Sequence, residues 1–307
     1  MEDGWVLARK QKTLWTRAGM TQAIRRFFLA RGYLEIETPY RIPAPAPEYH
    51  IDAVSSGNWF LHTSPELCMK RLLAAGYPKI FQICKCFRGG ERGSCHLPEF
   101  TMLEWYQQGI DYRLLMEECE EMVVSVASDL GCVDVINYRG KEISLQRPWE
   151  MLSVRDAFER YAPLPLKESL EREKFDEIMV CYIEPCLGEK GPTFLYDYPL
   201  YSSILTRAKR DDPSVEERCE LYIGGMEMAN GSSELTDLEE QQLRFERARQ
   251  FRRSHNKIDY LVPEGFLESL PATPEAAGMA LGVDRLLMIF TDSPTIDDVV
   301  AFTPEYI

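Results

Sequence analysis

Apolar and polar positions recur along this chain with two periods, one near 3.6 and one of 2, and the switches between them mark out its elements. Over 6–31 the apolar residues Leu14, Ala18, Ile24, Phe27 and Phe28 fall at helical spacing, and Gly32 fits a helix stop. Residues 33–38 alternate as a strand and end at Pro39, and three prolines within 41–50 predict an extended loop. A short strand at 59–61 precedes Ser64 and Pro65, which suit the cap and first position of a helix running to about residue 75, where Gly76 stops it. Strand patterns at 79–87 and 100–106 flank a glycine-rich polar loop, and 111–130 is a helix closed by Gly131. A hairpin is predicted over 133–146 around Arg139-Gly140, then helices at 150–162 and 166–183 and a strand over 193–198. One long strand is predicted for 217–227, charged helices for 237–257 and 261–270, a strand leading into a helix over 278–290, and a last helix at 295–302. The expected fold is α+β, one domain over 1–307 built on a mostly antiparallel sheet flanked by helices.

Composition narrows the class. The 307 residues are 45% hydrophobic and 27% charged, ordinary values for a globular chain with a large core. No run of eighteen apolar residues occurs, and the opening MEDGWVLARKQK lacks the apolar core of a signal peptide, so a cytoplasmic enzyme is expected. The net charge of −14 weighs against broad nucleic-acid binding. Basic residues cluster locally at 9–17 and at 244–257, as solvated helix faces or, for the second run, as a docking surface for an acidic partner. Nine cysteines with no CxxC pair argue against a disulfide framework and against a zinc ribbon, and read as small core residues.

Three stretches carry chemistry. In 87–106, FRGGERGSCHLPEFTMLEWY, Arg88 offers a planar fork for phosphate, the glycines allow close backbone approach, and Phe100 can stack on a base. His96 reads as a phosphate contact, a general base or a structural histidine. In 217–237, Glu220, Glu227, Asn230 and Glu234 cluster. Glu220 and Glu227 are an odd number of residues apart and face opposite sides of a regular strand unless a bulge at Gly224-Gly225 resets the face. Two carboxylates on one face suit Mg²⁺, and a solvated charged edge is the plainer alternative. In 278–290, Gly278 and Gly282 allow close approach and Arg285 stands at a helix start, a phosphate site in kind or half of a buried Asp284–Arg285 pair. Glu66 at a helix start is otherwise a simple dipole partner.

Taken in order, these stretches resemble the catalytic core of class II lysyl-tRNA synthetases over nearly the whole chain. The helix of 6–31 with GYLEIETPY is similar to that class's first, dimer-interface motif, 87–106 to the second and GMALGVDRLLMIF to the third, with TSPELCMKR and GGMEMANGSSELTD as lysine-type signatures between. The first motif begins within about ten residues of the start, so no anticodon-reading OB-fold is expected. Ala280 stands where lysyl-tRNA synthetases carry glycine, which is similar to the truncated paralogue family, the elongation factor P–lysine ligases. The resemblance implies a homodimer that uses ATP and Mg²⁺ to activate lysine or (R)-β-lysine and transfer it to elongation factor P, with tRNA not expected as acceptor and no membrane association. It implies that Arg88 holds the α-phosphate and substrate carboxylate, with Glu91 beside it, and that His96 and Arg285 bind the γ-phosphate side. Phe100 then stacks on adenine, with Arg285 over its other face, and Glu220 and Glu227 bind Mg²⁺. Glu66 meets the substrate ammonium near the carboxyl, Glu104, Tyr106 and Glu234 the side-chain ammonium, and Asn230 the carboxylate, while Ala280 narrows the pocket. The chain departs from the pattern at Gly89-Gly90, at Leu97 where asparagine is usual, and at Ser232 where a phenylalanine normally packs.

Overall fold

Helix α1 (Gln11–Ala30) turns Met20, Ala23, Ile24, Phe27 and Phe28 inward. It ends at Gly32, whose φ of +77° only glycine adopts cheaply. In the computed structural model, which describes residues 7–200 and 203–307, the predicted start of this helix at residue 6 lies outside the described residues. The chain continues through β1 (Leu34–Glu35), β2 (Arg41–Ile42), β3 (Ser55–Ser56) and β4 (Trp59–Leu61) into α2 (Glu66–Ala74). Strands β5 (Lys79–Phe87) and β6 (Glu99–Gln108) flank the glycine-rich loop and lead into α3 (Tyr112–Asp129), capped by the Asp111 carboxylate. The hairpin β7 (Val135–Tyr138) and β8 (Lys141–Ser144) turns at Arg139-Gly140, both at positive φ.

Beyond this point the structure corrects several boundaries. Residues 150–153 form β9 (Glu150–Ser153), not the start of a helix, because they pair with the later strand at 193–196. Helix α4 (Val154–Tyr161) begins only after Ser153, whose hydroxyl accepts from the Asp156 N–H. The expected helix at 166–183 breaks into α5 (Leu166–Glu171) and α6 (Phe175–Ile178) at Glu173, where φ is +54°. After β10 (Thr193–Pro199), the single strand expected over 217–227 is two, β11 (Val215–Ile223) and β12 (Met226–Ser233). Gly224 and Gly225, at φ +61° and +75°, make a tight hairpin turn and not a bulge. The bulge lies one step on: the register passes from Leu221 opposite Ala229 to Tyr222 opposite Glu227, leaving Met228 as the extra residue. That extra residue puts Glu227 on the face of Glu220. Helices α7 (Leu238–Ser254) and α8 (Glu264–Ser269) follow, then β13 (Ala276–Gly282) and α9 (Val283–Phe290), while 295–302 yields only a short 3-10 turn, Ile296–Val299.

The main sheet has eight strands in the order β1-β5-β6-β13-β12-β11-β10-β9, antiparallel throughout its centre and parallel at both edge pairs. The antiparallel α+β expectation therefore holds for the core, with a mixed edge. Residues 33–38 contribute only the two-residue β1, an edge strand that Pro39 soon follows.

Registers across the five central strands sort side chains by parity. One face carries Phe81, Leu103, Trp105, Met279, Leu281, Cys219 and Leu221, which join α1, α3 and α9 in the largest apolar cluster. The other face carries Gln82, Cys84, Cys86, Phe100, Met102, Glu104, Tyr106, Gly278, Ala280, Gly282, Asn230, Ser232, Arg218 and Glu220. Helices pack this second face only toward its ends, at Ile80 and Tyr106 and at Tyr222, and the polar positions between them form a site.

The basic run of α7 does not form a solvated or docking face as a whole. Arg252 is fully buried and donates to the carbonyls of Glu48, Ile51 and Ile258 and to Asp52. Arg244 is also buried, bonded to Glu240 and to the carbonyls of Ser203 and Thr206. Arg249 and Arg253 share Asp259, and Lys257 holds Asp52. Arg247, in contrast to Arg244, is exposed.

Candidate functional site

The polar face of the sheet floors a cleft of two lobes, about 200 Å³ and about 440 Å³ in volume. Arg88, Met102, Glu227, Asn230 and Ala280 line both lobes, so they mark the junction. Glu91, His96, Phe100 and Arg285 line the smaller lobe alone, and Glu66, Glu104, Tyr106, Glu220, Ser232 and Glu234 the larger. Every predicted site residue thus reaches one cleft.

In the smaller lobe, the Arg88 guanidinium lies over the Phe100 ring at 5.0 Å, with Glu91 3.9 Å away. Its Nε is buried without a hydrogen-bond partner among the described residues. Arg285 leaves the first turn of α9 and donates to the Glu227 carbonyl at 2.9 Å and to Glu227 Oε2 at a long 3.4 Å. Its Nη2 stands 2.6 Å from His96 Nε2, and burial first, then Arg285, lowers the His96 pKa. A neutral imidazole beside a guanidinium leaves the lobe positive, which suits phosphate. The alternative Asp284–Arg285 pair does not form: Asp284 pairs with Arg17 and accepts from the Thr101 N–H. Leu97 is buried in the main core and offers no polar group to the lobe.

The larger lobe is acidic at its base. Tyr106 and Ser64 donate to the two oxygens of Glu104 at 2.6 and 2.7 Å. Burial first, then the nearby Glu66 charge, pushes Glu104 up to about 8. Burial likewise raises Glu234 to about 7, against the opposing pull of Lys70, and Glu48 to about 7 with Glu66 adding to it. Lys70, buried on α2, bonds Glu66 at 2.5 Å and also Glu234, so these two expected substrate carboxylates already share a cation. Its position four residues after Glu66 on one helix was the sequence signal for this pair. Ser64 plays two parts at once, accepting from the Glu66 N–H and donating to Glu104.

Gly278, which lines the larger lobe, is also required by packing. A Cβ there would stand 2.1 Å from the Tyr106 ring, which lies flat on the strand. At Gly282 a Cβ would meet only ordinary contacts with Arg285.

Glu220 is buried and accepts from four donors: the hydroxyls of Tyr198 and Tyr222, Asn230 Nδ2, and Arg218. Those donors account for the four lone-pair sites of a carboxylate. Glu227 is less committed, and burial first, then Glu220, raises its pKa. Glu184, missed by the sequence reading because it lies in the short helical turns, is raised to about 7 by burial and then by Glu220 and Glu227. Such mutually opposed carboxylates suit a divalent cation, which Glu227 would hold, while Glu220 is already fixed by protein donors.

The fold and the parity of its strands place a two-lobed polar cleft on one face of a central antiparallel sheet. The family model of the class II tRNA synthetases (D, K and N) matches residues 5–305, and the chain belongs to that class. Within it, the chain is 36% identical, over an alignment 332 positions long including gaps, to proteins of Salmonella heidelberg, Salmonella agona and Salmonella enteritidis, each named elongation factor P–(R)-β-lysine ligase, with 97% of both chains covered.

Proposed function

We propose that this protein is an ATP-dependent ligase that activates lysine or (R)-β-lysine and transfers it to the ε-amino group of a lysine on elongation factor P. The observation that carries this reading is the position of Arg88 at the junction of a cationic lobe and an acidic one. The relatives' name supplies the acceptor and the amino acid. ATP fits the smaller lobe, with adenine against Phe100 and the outer phosphates at His96 and Arg285. The diamino acid fits the larger lobe, its side-chain ammonium at Glu104, Tyr106 and Glu234, its other amine at Glu66, and its carboxylate at Asn230 and Arg88. A cation buried away from water needs such carboxylates.

In the first step a substrate carboxylate oxygen attacks the α-phosphorus and pyrophosphate leaves, giving an aminoacyl-adenylate. Both reactants are anions, so Arg88 neutralises and aligns them, and no enzyme nucleophile is required. Mg²⁺ at Glu227 would supply further charge neutralisation on the phosphates. In the second step the acceptor's neutral amine attacks the adenylate carbonyl, an amide forms, AMP leaves and the amine gives up a proton. A homodimer through α1 is part of the same proposal. Trp15, 75% exposed on that helix, is an apolar group for it to cover, and sedimentation should report twice the chain mass.

Mass spectrometry of elongation factor P after incubation with enzyme, ATP, Mg²⁺ and each lysine isomer tests the reaction. One aminoacyl addition that requires ATP is expected. Amino-acid-dependent ATP–pyrophosphate exchange without any mass gain on the factor would move the acceptor to tRNA or a small amine. Absence of exchange would leave a non-catalytic paralogue.

A further inference from the structure

Three side chains with no part in the proposed reaction converge at one end of the cleft floor. His62, Cys84 and Cys86 are all buried, and their ligand atoms lie within 4.8 Å of one another. Cys84 and Cys86 are two apart on β5 and so share a face, with their sulfurs 4.0 Å apart. Met102, opposite Cys84 on β6, brings its thioether sulfur to 3.8 Å from Cys86 Sγ. His62 Nε2 lies 2.7 Å from the Lys85 carbonyl. A ring N–H donated there orients the imidazole, the support that metal-binding histidines commonly have.

The spacing favours an ion over a disulfide. A tetrahedral ion with bonds of roughly 2.3 Å sets two thiolates about 3.8 Å apart. Extended residues two apart separate their Cα atoms by roughly 6.6–7.2 Å, at or beyond the reach of a disulfide. Thiolate, thioether and imidazole are soft or borderline donors, so Mg²⁺ is a poor occupant. Met102 and Phe100 line the cleft above, which provides an entry route.

We propose that His62, Cys84 and Cys86, with Met102 as a fourth donor, form a site for a thiophilic d10 cation, Zn²⁺ or Cu⁺. Binding displaces two thiol protons to solvent and changes no oxidation state. The site is separate from Glu184, Glu220 and Glu227 and does not depend on the proposed reaction.

The full chain, reduced and stripped with a chelator, is titrated with Co²⁺ and then Zn²⁺, and separately with Cu⁺. Expected are one ion per chain by native mass spectrometry and a thiolate-to-cobalt charge-transfer band that Zn²⁺ abolishes. Combined Cys84→Ser and Cys86→Ser should remove the band and weaken binding at least about 100-fold, and Met102→Leu about 10-fold. Zn²⁺ should also protect Cys84 and Cys86 of the unaltered chain from alkylation, read by peptide mass spectrometry, which does not depend on how the variants fold. No thiolate band, no protection, or equal ion binding by the doubly substituted chain overturns the site.

Discussion

Glu104 shows how a single residue acquires chemistry from its surroundings. As an isolated carboxylate it would ionise near 4.5, yet the folded chain holds it at about 8 because burial and Glu66 oppose its charge. A cationic side chain entering the lobe should reverse that balance. KM for the diamino acid is therefore expected to fall as pH rises from about 6 to about 9, because a growing fraction of Glu104 is already ionised. Glu104→Gln should raise KM about 100-fold and flatten this profile, measured by pyrophosphate exchange across pH. Unchanged KM in the variant would remove Glu104 from substrate recognition. Gly278→Ala acts on the same residue pair by a different route. Its methyl group must displace the Tyr106 ring, so a loss of about 1–3 kcal/mol is expected in denaturant unfolding, along with a higher KM.

At the scale of elements, the basic end of α7 acts as a brace. Arg252 and Lys257 hold the 48–52 segment, and the Asp52 carbonyl in turn accepts from the Gly89 N–H at 2.6 Å. The helix thereby supports both the loop bordering the larger lobe and the turn after Arg88. Arg252→Ala should cost about 1–3 kcal/mol, since it removes the donor shared by the carbonyls of Glu48, Ile51 and Ile258 while Lys257 still holds Asp52. Arg247→Glu, on the exposed side, should stay within about 0.5 kcal/mol. Thermal melts of the two variants separate a brace from a solvated face, and equal shifts would refute the brace. The glycine-rich loop is tied down too: Arg92 reaches Asp297 and Glu305 from the other direction. Composition shows a charged helix here, but only the fold shows which arginines point inward.

Across the whole molecule, several acids are held neutral more firmly than they would be in the unfolded chain. Glu48 and Glu104 have folded values near 7 and 8 against an ordinary 4.5. A raised folded pKa adds stability that is fully present below about 4.5 and is lost as pH rises through 7 to 8. The unliganded protein should therefore lose stability between roughly pH 5 and 8 from these groups, and a bound diamino acid should restore much of it. Melting temperatures with and without lysine across that range test this. A gap that does not widen with pH would argue against the acidic lobe as the amine site. No helix among the described residues is long and apolar enough to cross a membrane.

Local pattern alone determined most of the elements, because helices and strands advertise their period and glycines mark their ends. Gly32, Gly76 and Gly131 all take positive φ where helices stop. The period-2 alternation of β6 already separated Phe100, Met102, Glu104 and Tyr106 from Leu103 and Trp105. The ordered motifs brought Arg88, Glu220 and Arg285 to one site, and the cleft unites them. What the pattern could not express is which neighbours share a space. Gly224-Gly225 read as a bulge within one strand, and strand pairing made it a turn while moving the bulge to Met228. Lys70 follows Glu66 by one helical turn, but only the assembled fold places it between Glu66 and Glu234. The cysteines read as core filler until β5 set two of them beside His62, which lies far from them in sequence. Charge partners, raised pKa values and soft-donor clusters depend on distances between residues remote along the chain, and those distances exist only once the sheet has assembled.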